Sequence, residues 1–372
     1  GGIYPLGFTL SRESETAMRP NRPTLMLCAL TLFAGLFVCD SAIAQNEGEE
    51  AAAVTAKVLV TNLLNPSGLA IQEGTGHVFI ANRHGVYRYL PAEKDRTKRI
   101  AIEIHTPGND VYGKGPKYDV GPLGVAFIDG ENLVVGDGSR KDGAEFVRVY
   151  KVGTESPAEA AKEDSAVHTL GPITMKEGVT AKGEGNFYGV AVGGGAIFVT
   201  CNGDDTKGWV SKSMITDGKP GELLPTIATK EATSVDAPVA ITFSPDGKDL
   251  VVGQMGEMTV PGDSLLTIYD PATGKLKKSY KTGLSDIAGL AYSPKTGKLY
   301  ATDFSWADTA KGGLFELTID GDEVKATLVL KLDKPTAVAF DKDGNLFVTE
   351  FGSAAEGGTK NPGSLSIIKA GL

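Results

Sequence analysis

Six polar residues occupy equivalent places along the chain, each directly after a short apolar segment or one residue beyond it. They are Asn82, Asp137, Asn202, Gln254, Asp303 and Glu350. Carboxylate and amide oxygens in such a set could bind a hard cation such as Ca²⁺ or the hydroxyl groups of a small polyol. Polar side chains at the ends of strands also commonly bond to the backbone of the turns that follow. The residue pattern leaves both interpretations open.

Three of these residues, Asp137, Asp303 and Glu350, carry carboxylates. If their side chains met near one axis they would repel one another, so a bound cation or raised pKa values would be expected. Ca²⁺ accepts carboxylates, amide carbonyls and water in a loose shell of roughly six to eight oxygens. In the repeat described below, only Asp303 and Glu350 belong to neighbouring units. We therefore predict weak Ca²⁺ binding at most, with no tightly held metal and no other cofactor.

The histidines and the cysteine of the repeat region do not form a recognisable catalytic set. His84 could act as a general base or could simply occupy a surface turn. His77, His105 and His168 lack the spacing of zinc ligands. Cys201 has no assigned histidine partner and is typical of either a small buried hydrophobe or an isolated nucleophile. No Gly-x-Ser-x-Gly motif is present in the sequence, and we assign no catalytic residue.

An internal repeat positions all of these residues. Each copy begins with an apolar segment related to Pro-x-Gly-Leu-Ala and continues through a turn rich in Gly or Asp to a second and a third apolar segment. The copies align on Gly68, Gly124, Gly189, Ala240, Gly289 and Ala337, and are 48 to 65 residues apart. Short strands repeated at this spacing are typical of propeller blades. We predict an all-β fold, a six-bladed β-propeller of four-stranded antiparallel blades.

Two segments fall outside the regular pattern. The last copy contains only three apolar segments, whereas a predicted strand at 57–61 precedes the first copy. We expect this N-terminal strand to pair with the last blade and close the ring. Between Ser156 and Asp164, a cap residue, a proline and a glutamate predict a short helix, which explains part of the longest spacing.

The composition excludes some classes of partner. Of the 372 residues, 48 are glycine, and 46 acidic against 37 basic residues give a formal charge of −9. The glycine content favours many tight turns. Since binding to a phosphate backbone needs a basic face and no long Lys/Arg cluster is present, we expect no nucleic-acid partner.

The N-terminal region resembles an export signal. A short cationic stretch from Met18 precedes an apolar run, 25–38, and a cleavage pattern of small residues ends at Ala44. The run is shorter than the roughly 20 residues of a membrane-spanning helix, although a retained anchor or a lipid on Cys39 are alternatives. We predict an upstream extension and Sec-type signal peptide at 1–44, a disordered acidic lead-in at 45–56 and one propeller domain at 57–372. The mature protein would be secreted or periplasmic and free of the membrane, and Cys201 would be its one cysteine, so no internal disulfide is expected.

The Pro-x-Gly-Leu-Ala segments, followed by Asp-Gly-x-Leu-Phe-Val, resemble the NHL and SMP-30/gluconolactonase-like six-bladed propellers. The stretch 238–352 is also similar to bacterial propellers of the ScyD/ScyE type. The resemblance implies a divalent ion near the central channel, held by carboxylate and amide oxygens, some of them just before the Gly-Leu pair. In this chain those positions are Ser67, Leu123, Tyr188, Val239, Ala288 and Thr336. None is an acid or an amide, which argues against a lactonase of that type.

Long and uneven loops follow the second strands, and they place several aromatic residues on one face. Tyr188 and Trp306, together with Phe304, Phe351 and Met255, could stack on a sugar ring, pack on a protein partner or be buried between blades. We predict an exported monomer that binds a small polar ligand or a protein partner through this loop-rich face, using the six polar residues with Tyr188 and Trp306. The alternative is a metal-dependent SMP-30-like lactonase.

Overall fold

The computed structural model describes residues 53–105, 111–112, 118–204, 206–355, 358 and 361–372, with the backbone alone at 111–112 and 118–119. The predicted signal peptide and most of the lead-in lie outside these residues. Within the described ranges, none of the helices is both long and apolar enough to cross a membrane.

The first half of the chain forms three blades. Strand β1 covers Ala56–Leu63, and the first blade contains β2 (Gly68–Ile71), β3 (Val78–Asn82), β4 (Gly85–Tyr89) and β5 (Ile100–His105). A short strand pair follows, β6 (Val111–Tyr112) and β7 (Tyr118–Asp119). The second blade contains β8 (Pro122–Phe127), β9 (Asn132–Asp137), β10 (Val147–Lys151) and β12 (His168–Leu170). Between β10 and β12 lies the short strand β11 (Ala161–Lys162). The third contains β13 (Val190–Gly193), β14 (Ala196–Thr200), β15 (Trp209–Thr216), β16 (Lys219–Pro220) and β17 (Leu224–Ala228).

The second half is more regular. The fourth blade contains β18 (Pro238–Phe243), β19 (Leu250–Gln254), β20 (Leu265–Tyr269) and β21 (Leu276–Lys281). The fifth contains β22 (Ile287–Tyr292), β23 (Leu299–Asp303), β24 (Gly313–Asp320) and β25 (Glu323–Lys331), and the sixth contains β26 (Pro335–Phe340), β27 (Leu346–Glu350) and β28 (Gly363–Ile368). The helical elements are short: α1 (Thr229–Thr233) and 3₁₀ turns at Arg96–Lys98, Glu163–Ser165 and Thr309–Lys311.

The six blades follow one another around a ring. The first strand of each blade packs on the first strand of the next, from β2 to β8, β13, β18, β22 and β26, and β26 packs on β2. The main strands of each blade pair antiparallel, in sequence order in the first five blades. The prediction of an all-β, six-bladed propeller with four-stranded blades is confirmed.

Strand β1 is the outer strand of the sixth blade, whose order is β1-β28-β27-β26. It runs antiparallel to β28, with Ala56 opposite Ile368 and Lys57 opposite Ile367. The sixth blade therefore combines the two ends of the described domain.

The repeat glycines allow neighbouring blades to approach closely at the channel. A Cβ atom on Gly68 would lie 2.1 Å from the carbonyl oxygen of Leu123 in the next blade. The corresponding distances are 2.4 Å for Gly124 and 2.2 Å for Gly189. Since no side chain fits at such distances, the sequence pattern follows from the packing of blade on blade.

The helix predicted between Ser156 and Asp164 is wrong. Part of this segment forms β11, which pairs in parallel with β5 of the first blade, and a 3₁₀ turn follows it. Glu163 in that turn forms ion pairs with Arg140 at 2.6 Å and with Arg148 at 2.5 Å. A capping pattern contributes little to a helix this short, so strand pairing and ion pairs to other parts of the blade determine its conformation.

Candidate functional site

Four of the six predicted polar residues hold the segment that enters their own blade. Asn82 Oδ1 accepts from the backbone N–H of Leu64 at 2.8 Å, and Glu350 Oε2 accepts from that of Asp333 at 2.8 Å. Asp303 likewise accepts from the backbone N–H groups of Ser285 at 3.0 Å and Asp286 at 2.8 Å, whereas Gln254 Nε2 donates to the carbonyl oxygen of Val235 at 2.6 Å. These bonds agree with the structural interpretation of the ring.

Asp137 and Asn202 use their side chains differently. Asp137 accepts from the backbone N–H of Ser139 at 2.9 Å and forms an ion pair with Arg140. Asn202 Nδ2 donates to the carbonyl oxygen of Pro238 in the following blade, at 2.7 Å. Asn202 is therefore a bridge between the third and fourth blades.

The three carboxylates of the ring bind three different loops. Burial raises the pKa of both Asp303 and Glu350, although backbone N–H groups that bond to each carboxylate act against it. Within the described ranges, no three acid, histidine or cysteine side chains are placed to hold one metal ion. The hypothesis that Asp137, Asp303 and Glu350 converge has no support from these contacts.

A cavity of about 220 Å³ opens where the first strands begin and the second strands end. Asn202, Tyr188 and Trp306 line it, as do Phe304, Phe351 and Met255. The other five predicted polar residues are absent from its described lining: Asn82, Asp137, Gln254, Asp303 and Glu350. The structure therefore brings together the aromatic candidates and only one member of the polar ring.

Three aromatic rings form one wall of the cavity. The rings of Phe304 and Trp306 stack with centroids 4.4 Å apart and planes 25° apart. Phe351 packs edge-on against Phe304, at 5.3 Å and 89°. Phe304 and Phe351 are buried, whereas Trp306 is partly exposed. In this wall Trp306 is the more exposed ring, and the two buried phenylalanines pack beside it.

Polar groups of the third and fourth blades line another part of the cavity. Asn186, Asn202, Lys230, Asp236 and Glu257 all contribute to the lining. Lys230 Nζ lies 2.7 Å from Asp236 Oδ2, and Asn186 Nδ2 donates to the carbonyl oxygen of Asn202 at 3.2 Å. In the part of the chain that the structure describes, the side-chain oxygens of Asn186 and Asn202 accept no hydrogen bond. Because the third and sixth blades are opposite in a ring of six, these amides lie across the mouth from Phe351.

Buried acids support the amide side of the cavity. Glu145 Oε2 accepts from the backbone N–H of Asn186 at 2.5 Å, and Glu145 itself has no exposed surface. Burial raises its pKa to about 9. Burial also raises the pKa of Glu184, to about 7. Glu145 therefore holds a proton at neutral pH beside Asp142, whereas Glu184, beside Asp204, is mostly protonated only below about pH 7.

Sequence reasoning missed Asn186, Lys230, Asp236 and Glu257. Asn186 directly precedes the Phe187-Tyr188-Gly189 copy of the repeat, and Glu257 follows Met255 in one of the predicted loops, so both stood near a feature that could have indicated them. Cys201 is fully buried, its Sγ lies 3.1 Å from Ser211 Oγ, and burial raises the pKa of its thiol. It is therefore packed as a small apolar side chain. His84 is exposed and absent from the described lining of the cavity.

No protein-family model matches this chain, and no curated protein matches it. Several solved structures share its fold. The soluble aldose sugar dehydrogenase of Escherichia coli, in its apo form, is 14% identical over 86% of this chain and 100% of that one, with a TM-score of 0.55. A gluconolactonase from Xanthomonas campestris is 15% identical over 85% and 90%, with a TM-score of 0.54. The calcium-binding regucalcin of Agrobacterium tumefaciens is 15% identical over 86% and 96%, with a TM-score of 0.50.

The chain thus has the fold of the gluconolactonase/SMP-30-like and aldose sugar dehydrogenase six-bladed propellers. At these identities the likeness describes the fold, and one fold hosts many activities. The site itself must indicate the function.

Proposed function

We propose that the protein binds a sugar or a sugar lactone in the cavity at the mouth of its channel. The observation that carries the proposal is the stacked Phe304–Trp306 pair in the same cavity as the amides of Asn186 and Asn202. The C–H face of a sugar ring packs on an aromatic plane, while its hydroxyl groups need polar partners at its edge. The cavity supplies both, and its gluconolactonase and sugar dehydrogenase neighbours in fold are consistent with this ligand class.

The polar groups of the cavity offer both acceptors and a donor to a ligand. The amide oxygens of Asn186 and Asn202 can accept hydrogen bonds from ligand hydroxyls. Lys230 can donate to a ring or carbonyl oxygen while Asp236 keeps it in place. A protein partner fits less well, because a stable protein interface needs a surface of roughly 800 Å² on each side rather than a small concave site.

Calorimetric titration with D-glucose and with glucono-1,5-lactone tests the proposal. We expect Trp306→Ala to weaken binding at least tenfold, since it removes half of the stacked pair. Trp209→Phe is the matched control, because Trp209 donates to the carbonyl oxygen of Val179 and is absent from the described lining of the cavity. Absence of binding by the unaltered protein, or equal loss in both variants, would contradict the proposal.

A second candidate function is hydrolysis of the lactone. It is supported by the fold shared with a gluconolactonase and by Glu257, a carboxylate at the cavity that could activate water. A resident divalent ion does not fit the described donors: none of the positions before the first strands is an acid or an amide, and Asp236 is paired with Lys230. Proton release from glucono-1,5-lactone, measured with and without added Ca²⁺, distinguishes a metal-independent hydrolase, a metal-dependent one and a binding protein.

We also propose that the mature protein is a monomer that acts outside the cytoplasm, in the periplasm or after secretion. The export is supported by the apolar run 25–38 and the small residues before Gln45. Mass spectrometry of protein from an exporting host should find an N-terminus at Gln45. Retention of Met18 or Leu25 would contradict the cleavage.

A further inference from the structure

Asp286 lies behind the aromatic wall and bonds to both of the stacked residues. The backbone N–H of Phe304 donates to its carbonyl oxygen at 3.0 Å. The backbone N–H of Trp306 donates to its side-chain Oδ2 at 2.6 Å. Asp286 directly precedes β22, so these bonds fasten the wall to an inner strand of the fifth blade.

One oxygen of this carboxyl group has no partner. Asp286 is 1% exposed, and among the described residues its Oδ1 makes no hydrogen bond. The charged groups that face it are also acidic: Asp303 at the end of β23, and Asp263 from the loop after β19 of the fourth blade. No neighbouring cation in the described chain compensates a negative charge at this position.

The geometry suits the protonated acid better than the carboxylate. A proton on Oδ1 removes the charge while Oδ2 continues to accept from Trp306. An ionised group would instead leave a buried, unpartnered oxygen next to two other acids, which is costly. Burial raises the pKa of Asp286 to about 7, and Asp303 and Asp263 act in the same direction.

We propose that Asp286 is a positioning residue whose protonation holds the Phe304–Trp306 wall in its stacked arrangement, and whose ionisation loosens that wall. The sugar site would then be strongest below neutral pH and weaken above it. The effect on sugar affinity rests on the proposed function, whereas the effect of Asp286 on the aromatic wall does not.

The first test needs no ligand. The chain has two tryptophans, so Trp209→Phe leaves Trp306 as the single fluorescent reporter. Its emission should change in one step centred near pH 7. Asp286→Asn keeps an oxygen acceptor for the Trp306 N–H but does not titrate, so the step should disappear. Asp308→Asn, an exposed acid on the same loop, should retain it.

The second test measures D-glucose affinity in the same proteins. With a pKa of about 7, the protonated fraction falls from about nine tenths at about pH 6 to about one tenth at about pH 8, so affinity should fall about tenfold. Asp286→Asn should show no such fall.

The outcomes separate the two proposals. A step that persists in Asp286→Asn overturns the role of Asp286, and so does a flat emission profile in the Trp209→Phe parent, which requires no further variant to fold. If glucose binds with an affinity that does not change with pH, the sugar site is supported and the role of Asp286 is overturned. A step that depends on Asp286 without any glucose binding supports the positioning role and overturns the proposed function.

Discussion

Most of the polar residues at the ends of the second strands form hydrogen bonds to the backbone and do not reach the cavity. Asp303 accepts N–H groups from Ser285, Asp286 and Ser305, and so fixes both the entry to the fifth blade and the start of its aromatic loop. Asn202 alone of the six also reaches the cavity. At the scale of single residues, a polar side chain at the end of a second strand can bond to the backbone or line the cavity. Its distance from the channel mouth decides which.

Glu145 allows a prediction about pH and stability. Because its folded pKa is raised from 4.5 to about 9, the folded protein keeps a proton that the unfolded chain has released. The stability linked to this proton is complete below about pH 4.5 and declines as pH rises toward 9, by up to about 1.4 kcal/mol per pH unit. Glu145→Gln cannot ionise, so its melting temperature relative to the unaltered protein should rise between pH 5 and pH 8.

The exposed Glu159→Gln is the matched control and should follow the unaltered protein at both pH values. Calorimetric melting curves provide the measurement. A difference between Glu145→Gln and the unaltered protein that does not vary with pH would show that Glu145 stays ionised in the fold.

At the scale of elements, the first strands determine how closely blades approach. Gly189 lies against Val239 of the next blade, where a Cβ atom would meet its carbonyl oxygen at 2.2 Å. We expect Gly189→Ala to lower the free energy of unfolding by about 1–3 kcal/mol through overpacking. Gly130→Ala should be nearly neutral, because the nearest atom to its added Cβ is 4.0 Å away.

Denaturant titration of both glycine variants checks this. Equal midpoints for Gly189→Ala and Gly130→Ala would mean that the blades separate at little cost, and that the glycine pattern has another origin.

At the scale of the whole molecule, β1 joins the start of the domain to its last blade. Leu59 and Val60 are half-buried and pack with Leu365 and Ile367 of β28. Deleting Lys57–Thr61 should expose the edge of β28 and remove about 2–3 kcal/mol of apolar burial, so we expect a lower melting temperature and aggregation.

A chain that starts at Ala53 keeps β1 and is the control for this deletion. Thermal unfolding and size-exclusion chromatography measure both effects. Indistinguishable behaviour of the two chains would mean that closure of the ring does not depend on this strand.

The sequence by itself determined the repeat and therefore the architecture. Strands and turns form from local patterns of apolar residues and glycines that span only a few residues. The strands of a blade can therefore be predicted from any one copy, such as Pro335–Phe340 with its following turn. The same local reasoning placed Trp306 and Phe351 on the loop-rich face, since each directly follows or lies near the end of a second strand.

Only the tertiary structure decided what the cavity contains. Its lining comes from five blades, so Lys230 and Asp236 become neighbours of Trp306 through ring closure and not through any pattern along the chain. The segment 156–164 shows the same limit, because ion pairs from Glu163 to distant arginines override its local helix pattern. Asp286 is the clearest case: its bond to Trp306, 20 residues away in the same blade, and the acid Asp263 that faces it from the fourth blade follow from the folded ring and not from a local pattern.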